Sequence, residues 1–315
     1  MITTTMKNKV LGMALAGGLV SFAANAADTI RIPVNAWTGQ NISAQITGEL
    51  LEELGYEVEY VTAGAVPQIS AMAQGTLHLQ PEKWDNNVGN IYDKALNDGD
   101  IKLVDLLGLE PQEGWMYPPY MEEQCPGLPD YEALYDCAQI FGTASTFPKG
   151  RLITYPADWG TRSKTLVDVL DLPFQPVAGG SEGAMVAELK SALSAEQPIL
   201  IMFWLPHWIH AEHEFRFVQF DGNTKDCPPL EEQSRGNACG FTQAKVHKMV
   251  SGDFAQKWPD AQVLIENLHL TNEEQNKMIL EIDQEGAELE DVVAVWMEKN
   301  EKTWNAWIEE ARAAD

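Results

Sequence analysis

Five short segments of the chain, apolar or alternating in character, each run into a tryptophan. Pro198-Ile-Leu-Ile-Met-Phe is stopped by Trp204 and Pro206, and Arg31-Ile-Pro-Val-Asn-Ala ends on Trp37. Thr76 to Lys83 ends on Trp84, Arg151 to Asp158 ends on Trp159, and the run Ile101 to Gly108 leads by a short loop to Trp115. Such runs read as buried strands bounded by turn residues. In open α/β sheets ligands bind beyond the carboxyl ends of the strands, so five indoles at such ends would surround one crevice. Aromatic faces arranged in that way suit a methylated ammonium cation.

The segments between the strands are helical in pattern. Ile42, Ile46, Leu50 and Leu54 recur every four residues and Gly55 stops the run, which predicts an amphipathic helix. Tyr56 to Val61 alternates as a strand, Val66 to Gln74 reads as a helix closed by Gly75, and Val88 to Leu96 as a further helix. The β-α-β-α-β order predicts a parallel α/β sheet. From about Glu110 the texture turns to Pro-rich and Gly-rich loop, and the β-α pattern resumes from Arg151 to Phe220 with helices at Thr161 to Leu170 and Ser181 to Leu193. A second loop-rich stretch, Asp221 to Gly240, precedes a helical tail with a capping box at Thr271 and Glu274 and a long amphipathic helix from Leu289 to Ala314. Two crossings imply two lobes with a cleft between them, residues 27–112 and 221–315 forming the first and 113–220 the second.

The N-terminus has Lys7 and Lys9, an apolar run Val10 to Ala24, and the small-x-small sequence Ala24-Asn-Ala26. This is the form of a cleaved signal peptide covering 1–26, and it predicts a periplasmic protein. No later run approaches the length of a membrane span, so no membrane insertion is expected. The net charge of -26 over 315 residues repels nucleic acid and anionic lipid and biases the surface toward cations. Cys125 with Cys137, and Cys227 with Cys239, form two local pairs. In an exported chain two disulfides are expected, and the alternative of a four-cysteine metal site lacks closely spaced hooks.

Other candidates have competing readings. Glu113 precedes Trp115 by two residues and either faces the cleft or is a solvated loop carboxylate. Glu182 follows Ser181 at a helix start, where a capping role is favoured over a ligand role. His207, His210 and His213 invite a metal site, hence a secreted metal-dependent hydrolase, but their spacing drifts round a helix and no HExxH is present. Asp221 to Asp226 is a partial calcium-loop pattern that reads more simply as a turn. Trp208, Trp258, Trp296, Trp304 and Trp307 read as packing. With no Gly-x-Ser-x-Gly, phosphate loop or dinucleotide fingerprint, neither an enzyme nor a bound cofactor is expected.

Taken together in this order, Leu54-Gly-Tyr-Glu-Val, Lys83-Trp84-Asp85, Asp158-Trp159-Gly160 and Phe203-Trp204-Leu-Pro206-His-Trp208 resemble the substrate-binding proteins of ABC importers for glycine betaine, choline and related methylamines. The resemblance covers essentially all of the chain from Ile30 onward. It implies the two-lobed type II periplasmic binding protein fold, each lobe a mostly parallel sheet flanked by helices, which closes on its ligand and hands it to an inner-membrane permease; a monomer is expected. It also implies an aromatic box at Trp84, Trp159 and Trp204, joined by Trp37 in the choline branch, with Trp115 where relatives carry another aromatic. The amides of Gly160 and Thr161 would meet a ligand carboxylate, in keeping with free N–H groups at a helix start. A cleft-facing Glu113 would repel glycine betaine, and with five tryptophans it tips the expected ligand toward trimethylamine N-oxide, with glycine betaine or choline as alternatives.

Overall fold

The structure is a computed structural model describing residues 29–86, 89–222 and 227–314. The expected signal peptide lies outside these residues, as do residues 223–226 of the calcium-like loop and Val88 of the expected third helix, which is described over Asn90–Asp98. Among the described residues the strands are β1 (Thr29–Val34), β2 (Glu57–Thr62), β3 (Leu79–Trp84), β4 (Ile101–Leu106), β5 (Gln112–Tyr117), β6 (Pro126–Pro129), β7 (Gly150–Thr154), β8 (Phe174–Ala178), β9 (Ile201–Leu205), β10 (Arg216–Phe217) and β11 (Val246–Ser251).

One group of strands draws on both ends of the chain. β1 and β2 pair in parallel, while β11 lies between β3 and β4. The backbone N–H of His78 donates to the Arg31 carbonyl (2.9 Å), linking the two sets edge to edge. A separate five-stranded sheet, β10-β5-β9-β7-β8, is built from the middle of the chain. These are the sheets of the two α/β lobes.

Parallel pairing holds for β1 with β2 and for β7 with β8 and β9, but β5 is antiparallel to β9 and β10, and β11 to β3 and β4. The sheets are therefore mixed rather than mostly parallel. The reason is the route of the chain: β5 and β11 follow the two crossings, without the helical crossover that would return the chain to the starting edge. Pro81 in β3 lies opposite the register shift between His247 and Met249 of β11, where the ladder does not need its missing N–H.

The helix Thr38–Leu54 buries Ile42, Ile46 and Leu50, and Gly55 at φ 111° closes it by donating to the carbonyls of Leu51 and Glu52. The helix Asn272–Asp283 carries the expected capping box: Thr271 and Glu274 satisfy each other's backbone N–H groups. With Pro259–Asn267 and Leu289–Ala313 it packs against the first lobe. The helices Arg162–Val169 and Glu182–Ala195 belong to the second lobe. Disulfides join Cys125 to Cys137 and Cys227 to Cys239, with Cα atoms 5.4 and 5.7 Å apart. No helix among the described residues is long and apolar enough to cross a membrane.

Candidate ligand site

Trp37, Trp84, Trp159 and Trp204 line one cavity together with Tyr155 and Glu113. The cavity is narrow, about 20 Å³, and partly open to solvent. Trp37 stands between β1 and its helix, Trp84 is the last residue of β3, Trp159 sits in a 3-10 turn after β7, and Trp204 is near the end of β9. The edge of Trp37 meets Trp159 at 4.9 Å between ring centroids, across the two lobes. Tyr155, Trp159 and Trp204 form a triangle with sides of 5.6 to 5.7 Å. All four tryptophans are buried, so a cation between them would be shielded from water, where cation-π attraction is strongest.

Trp115 lies elsewhere. It is inside β5 rather than in a loop after β4, paired with Met202 of β9. Its indole N–H donates to Ser163 Oγ (3.0 Å), its ring packs on Phe220 and Phe241, and it does not line the cavity. Glu113 shares its face of β5 because side chains two apart point the same way. Nearer the strand start and opposite Trp204, Glu113 reaches the cavity. Its carboxylate is 3% exposed and pairs with Arg162, and it accepts hydrogen bonds from Asn86 and the Tyr155 hydroxyl. Burial, then the Glu113 charge, pushes the Tyr155 hydroxyl well above its ordinary range, so Tyr155 remains a donor.

Gly160, at φ 116°, turns the chain between Trp159 and the helix Arg162–Val169, a conformation that favours glycine. It lines a small recess beside the cavity with Arg162 and Ser163, whereas Thr161 is exposed and does not line either space. Tyr155, Arg162 and Glu82 escaped the sequence reading. Glu82 is 2% exposed and lies behind the cage: one oxygen accepts the indole N–H groups of both Trp37 (3.1 Å) and Trp84 (3.2 Å). Its other oxygen accepts from Ser43 Oγ and Gln275 Nε2, each at 2.7 Å. Burial raises its pKa, opposed by these hydrogen bonds.

The three histidines do not converge. His210 Nε2 lies 3.0 Å from the Trp204 carbonyl, and His213 packs near Phe215. His207 instead joins Glu182 and Asp283 in a cluster whose potential ligand atoms lie within 4.8 Å. His207 Nδ1 accepts the Ile209 amide (3.2 Å), which leaves the proton of the neutral ring on Nε2, 3.3 Å from Glu182. That tautomer has no lone pair on Nε2 for a metal. Glu182 differs from its expected role: Ser181 caps the Glu182–Ala195 helix, while Glu182 accepts the N–H (2.8 Å) and hydroxyl (3.2 Å) of Thr38, at the start of a helix in the other lobe. Asp283 accepts from Thr38 Oγ1 (2.7 Å) and the Trp208 indole (3.0 Å), so this cluster fastens the lobes together.

A wider groove on the other side of Glu113 is lined by Glu122, Arg216 and Phe217 among others. Arg216 is paired there with Glu122 and Glu214.

Two α/β lobes facing each other across a cleft are the architecture of the type II periplasmic binding proteins. The chain belongs to the family described as the substrate binding domain of ABC-type glycine betaine transport systems, which matches residues 28–299. It is 30% identical over 305 residues to the trimethylamine N-oxide-binding protein of Pelagibacter ubique (strain HTCC1062), spanning 92% of this chain and 96% of that protein. Among solved structures it resembles a lactococcal binding protein in its closed form with glycine betaine (TM-score 0.71, 17% identity, 89% of this chain and 99% of that one). It also resembles an ABC-transporter choline-binding protein in complex with choline (TM-score 0.73, 16% identity, 91% of this chain and 98% of that one). Members of this family are extracytoplasmic, bind small solutes and deliver them to an ABC permease.

Proposed function

We propose that this protein captures a small methylated amine, trimethylamine N-oxide foremost, between the indoles of Trp37, Trp84, Trp159 and Trp204. The observation that carries this reading is the convergence of these four buried rings and Tyr155 on one cavity. Cation-π attraction contributes about 0.5 to 2 kcal/mol per face in such a setting. Glu113 adds negative charge at the cavity wall, and the recess that Gly160 lines beside the cage receives the ligand's oxygen, whereas Thr161 lies outside both spaces. Trp115 supports the wall from behind through Ser163. Likeness to a trimethylamine N-oxide-binding protein along nearly the whole chain supports the choice of ligand.

Glycine betaine is the second reading, and Arg162 favours it. By pairing with Glu113 it cancels much of the repulsion that a bare carboxylate would exert on betaine, and it lines the recess beside the cage with Gly160. Choline fits the cage through its ammonium alone. In this reading residues 27–112 with 221–315 form one lobe and 113–220 the other. Residues 1–26 direct export and are removed, and the mature monomer works in the periplasm.

The test is parallel calorimetric titration of the mature, ligand-stripped protein with trimethylamine N-oxide, glycine betaine, choline and carnitine. Micromolar or tighter binding of one of them, lost in Trp204→Ala, is expected. Failure of all four to bind would overturn the cage.

A further inference from the structure

Glu82 is a carboxylate sealed behind two walls of the cage. Four neutral donors hold it: the indoles of Trp37 and Trp84 on one oxygen, Ser43 and Gln275 on the other. Among the described residues it makes no ion pair, whereas the nearby Glu113 is matched by Arg162. An unpaired buried carboxylate is costly to keep ionised unless a cation comes close. The indole N–H groups point at Glu82 while the same rings line the cavity. Donating to an anion fixes each ring's orientation and shifts electron density toward its face, which strengthens its attraction for a cation.

We propose that Glu82 is a positioning residue that orients Trp37 and Trp84 and serves, through their rings, as the buried counter-charge of the bound ammonium group. The cage thereby selects for positive charge as well as for the shape of a trimethyl group. The side chain does not touch the ligand. This inference rests on the cage reading above, and it assigns discrimination between a methylated ammonium and its uncharged carbon isostere to a residue outside the contact surface.

The experiment compares two ligand pairs of matched shape: trimethylamine N-oxide with tert-butanol, and choline with 3,3-dimethylbutan-1-ol. Affinities are measured by tryptophan fluorescence or calorimetry on the mature protein and on Glu82→Gln, which keeps the size of the side chain and removes its charge. For whichever ammonium ligand the native protein binds, affinity is expected to fall about tenfold in Glu82→Gln, with the neutral partner's affinity unchanged. Equal weakening of both partners would show a merely structural role and overturn the proposal, as would no weakening of either. Gln275→Met carries the same test if Glu82→Gln fails to fold, because it removes one neutral donor from the carboxylate. A loss of about threefold, again for the ammonium alone, is expected there, and equal loss on both ligands or none overturns the proposal. If the native protein binds neither ammonium ligand, it is the cage itself that fails; if it binds one and the charge preference survives in the variants, only the role of Glu82 fails.

Discussion

Replacing Arg162 by Met separates what the Glu113 to Arg162 pair does for stability from what it does for ligand choice. The side chains of Glu113 and Arg162 are 3% and 15% exposed, so the pair is largely out of water. Removing one member of a buried pair costs about 3 to 5 kcal/mol, because the other charge is left without its partner. Here Asn86 and the Tyr155 hydroxyl still donate to the carboxylate, which places the expected loss at the lower end, about 3 kcal/mol. For a chain of this length that lowers the melting temperature by roughly 5 °C. Met also leaves Phe241 without the guanidinium that now lies 5.3 Å from its ring centre. With Glu113 uncompensated, glycine betaine is expected to lose about tenfold in affinity relative to choline, near 1.4 kcal/mol. Thermal unfolding and parallel calorimetric titrations read the two effects. The double variant Glu113→Gln with Arg162→Met should recover most of the stability, since no unpaired charge then remains. An unchanged melting temperature together with an unchanged ratio of betaine to choline affinity would refute the assignment of this pair.

Trp204→Ala removes a cage face and its edge contacts with Tyr155 and Trp159, so ligand affinity is expected to drop about 10- to 100-fold in titrations. Trp115→Phe, by contrast, should lower stability by about 1 kcal/mol through the lost bond to Ser163, with ligand affinity held within about twofold; the reverse pattern would place Trp115 in the site. Burial lowers the pKa of His210 from 6.5 to about 4, so the unfolded chain binds its proton first as pH falls. Stability is then lost between about pH 6.5 and pH 4, by roughly 3 kcal/mol in all, and melting curves of His210→Gln should be flatter over that range. Reduction of each disulfide, monitored by urea unfolding, is expected to cost about 3 kcal/mol because each closes a short loop.

The four tryptophans that line the cavity were legible because each ends a segment whose period or apolarity marks it as a strand. Trp115 was misplaced for the same reason: Pro111, Gly114 and Pro118 disguise β5 as loop, so the residue was attached to the wrong strand. β3 is harder. Leu-Gln-Pro-Glu-Lys-Trp contains three polar residues and a proline, yet all six are buried. Partners distant in sequence make this possible: Gln40, Gln68 and Gln80 bond in series, and Glu82 draws on residues as far away as Gln275. No local pattern announces such a network. β11 was likewise hidden, because Lys248 interrupts its apolar run; the ammonium is buried against the carbonyls of Glu266 and Leu268. Glu182 was read from its own helix start, whereas its partner, Thr38, lies 144 residues earlier in the chain.

The meeting of Trp37 with Trp159 has a kinetic consequence. Each lobe carries part of the enclosure, and the Thr38, Glu182 and Asp283 contacts hold the parts together. A solute held between rings of both lobes would lose half of its contacts as soon as the lobes part, so its residence time depends on how long they stay shut. Tightening the fastening would lengthen that time and slow delivery, even with every indole in place. The protein's usefulness as a carrier is therefore bounded from both sides: a catch too weak loses its cargo in transit, and one too strong fails to let go at the membrane.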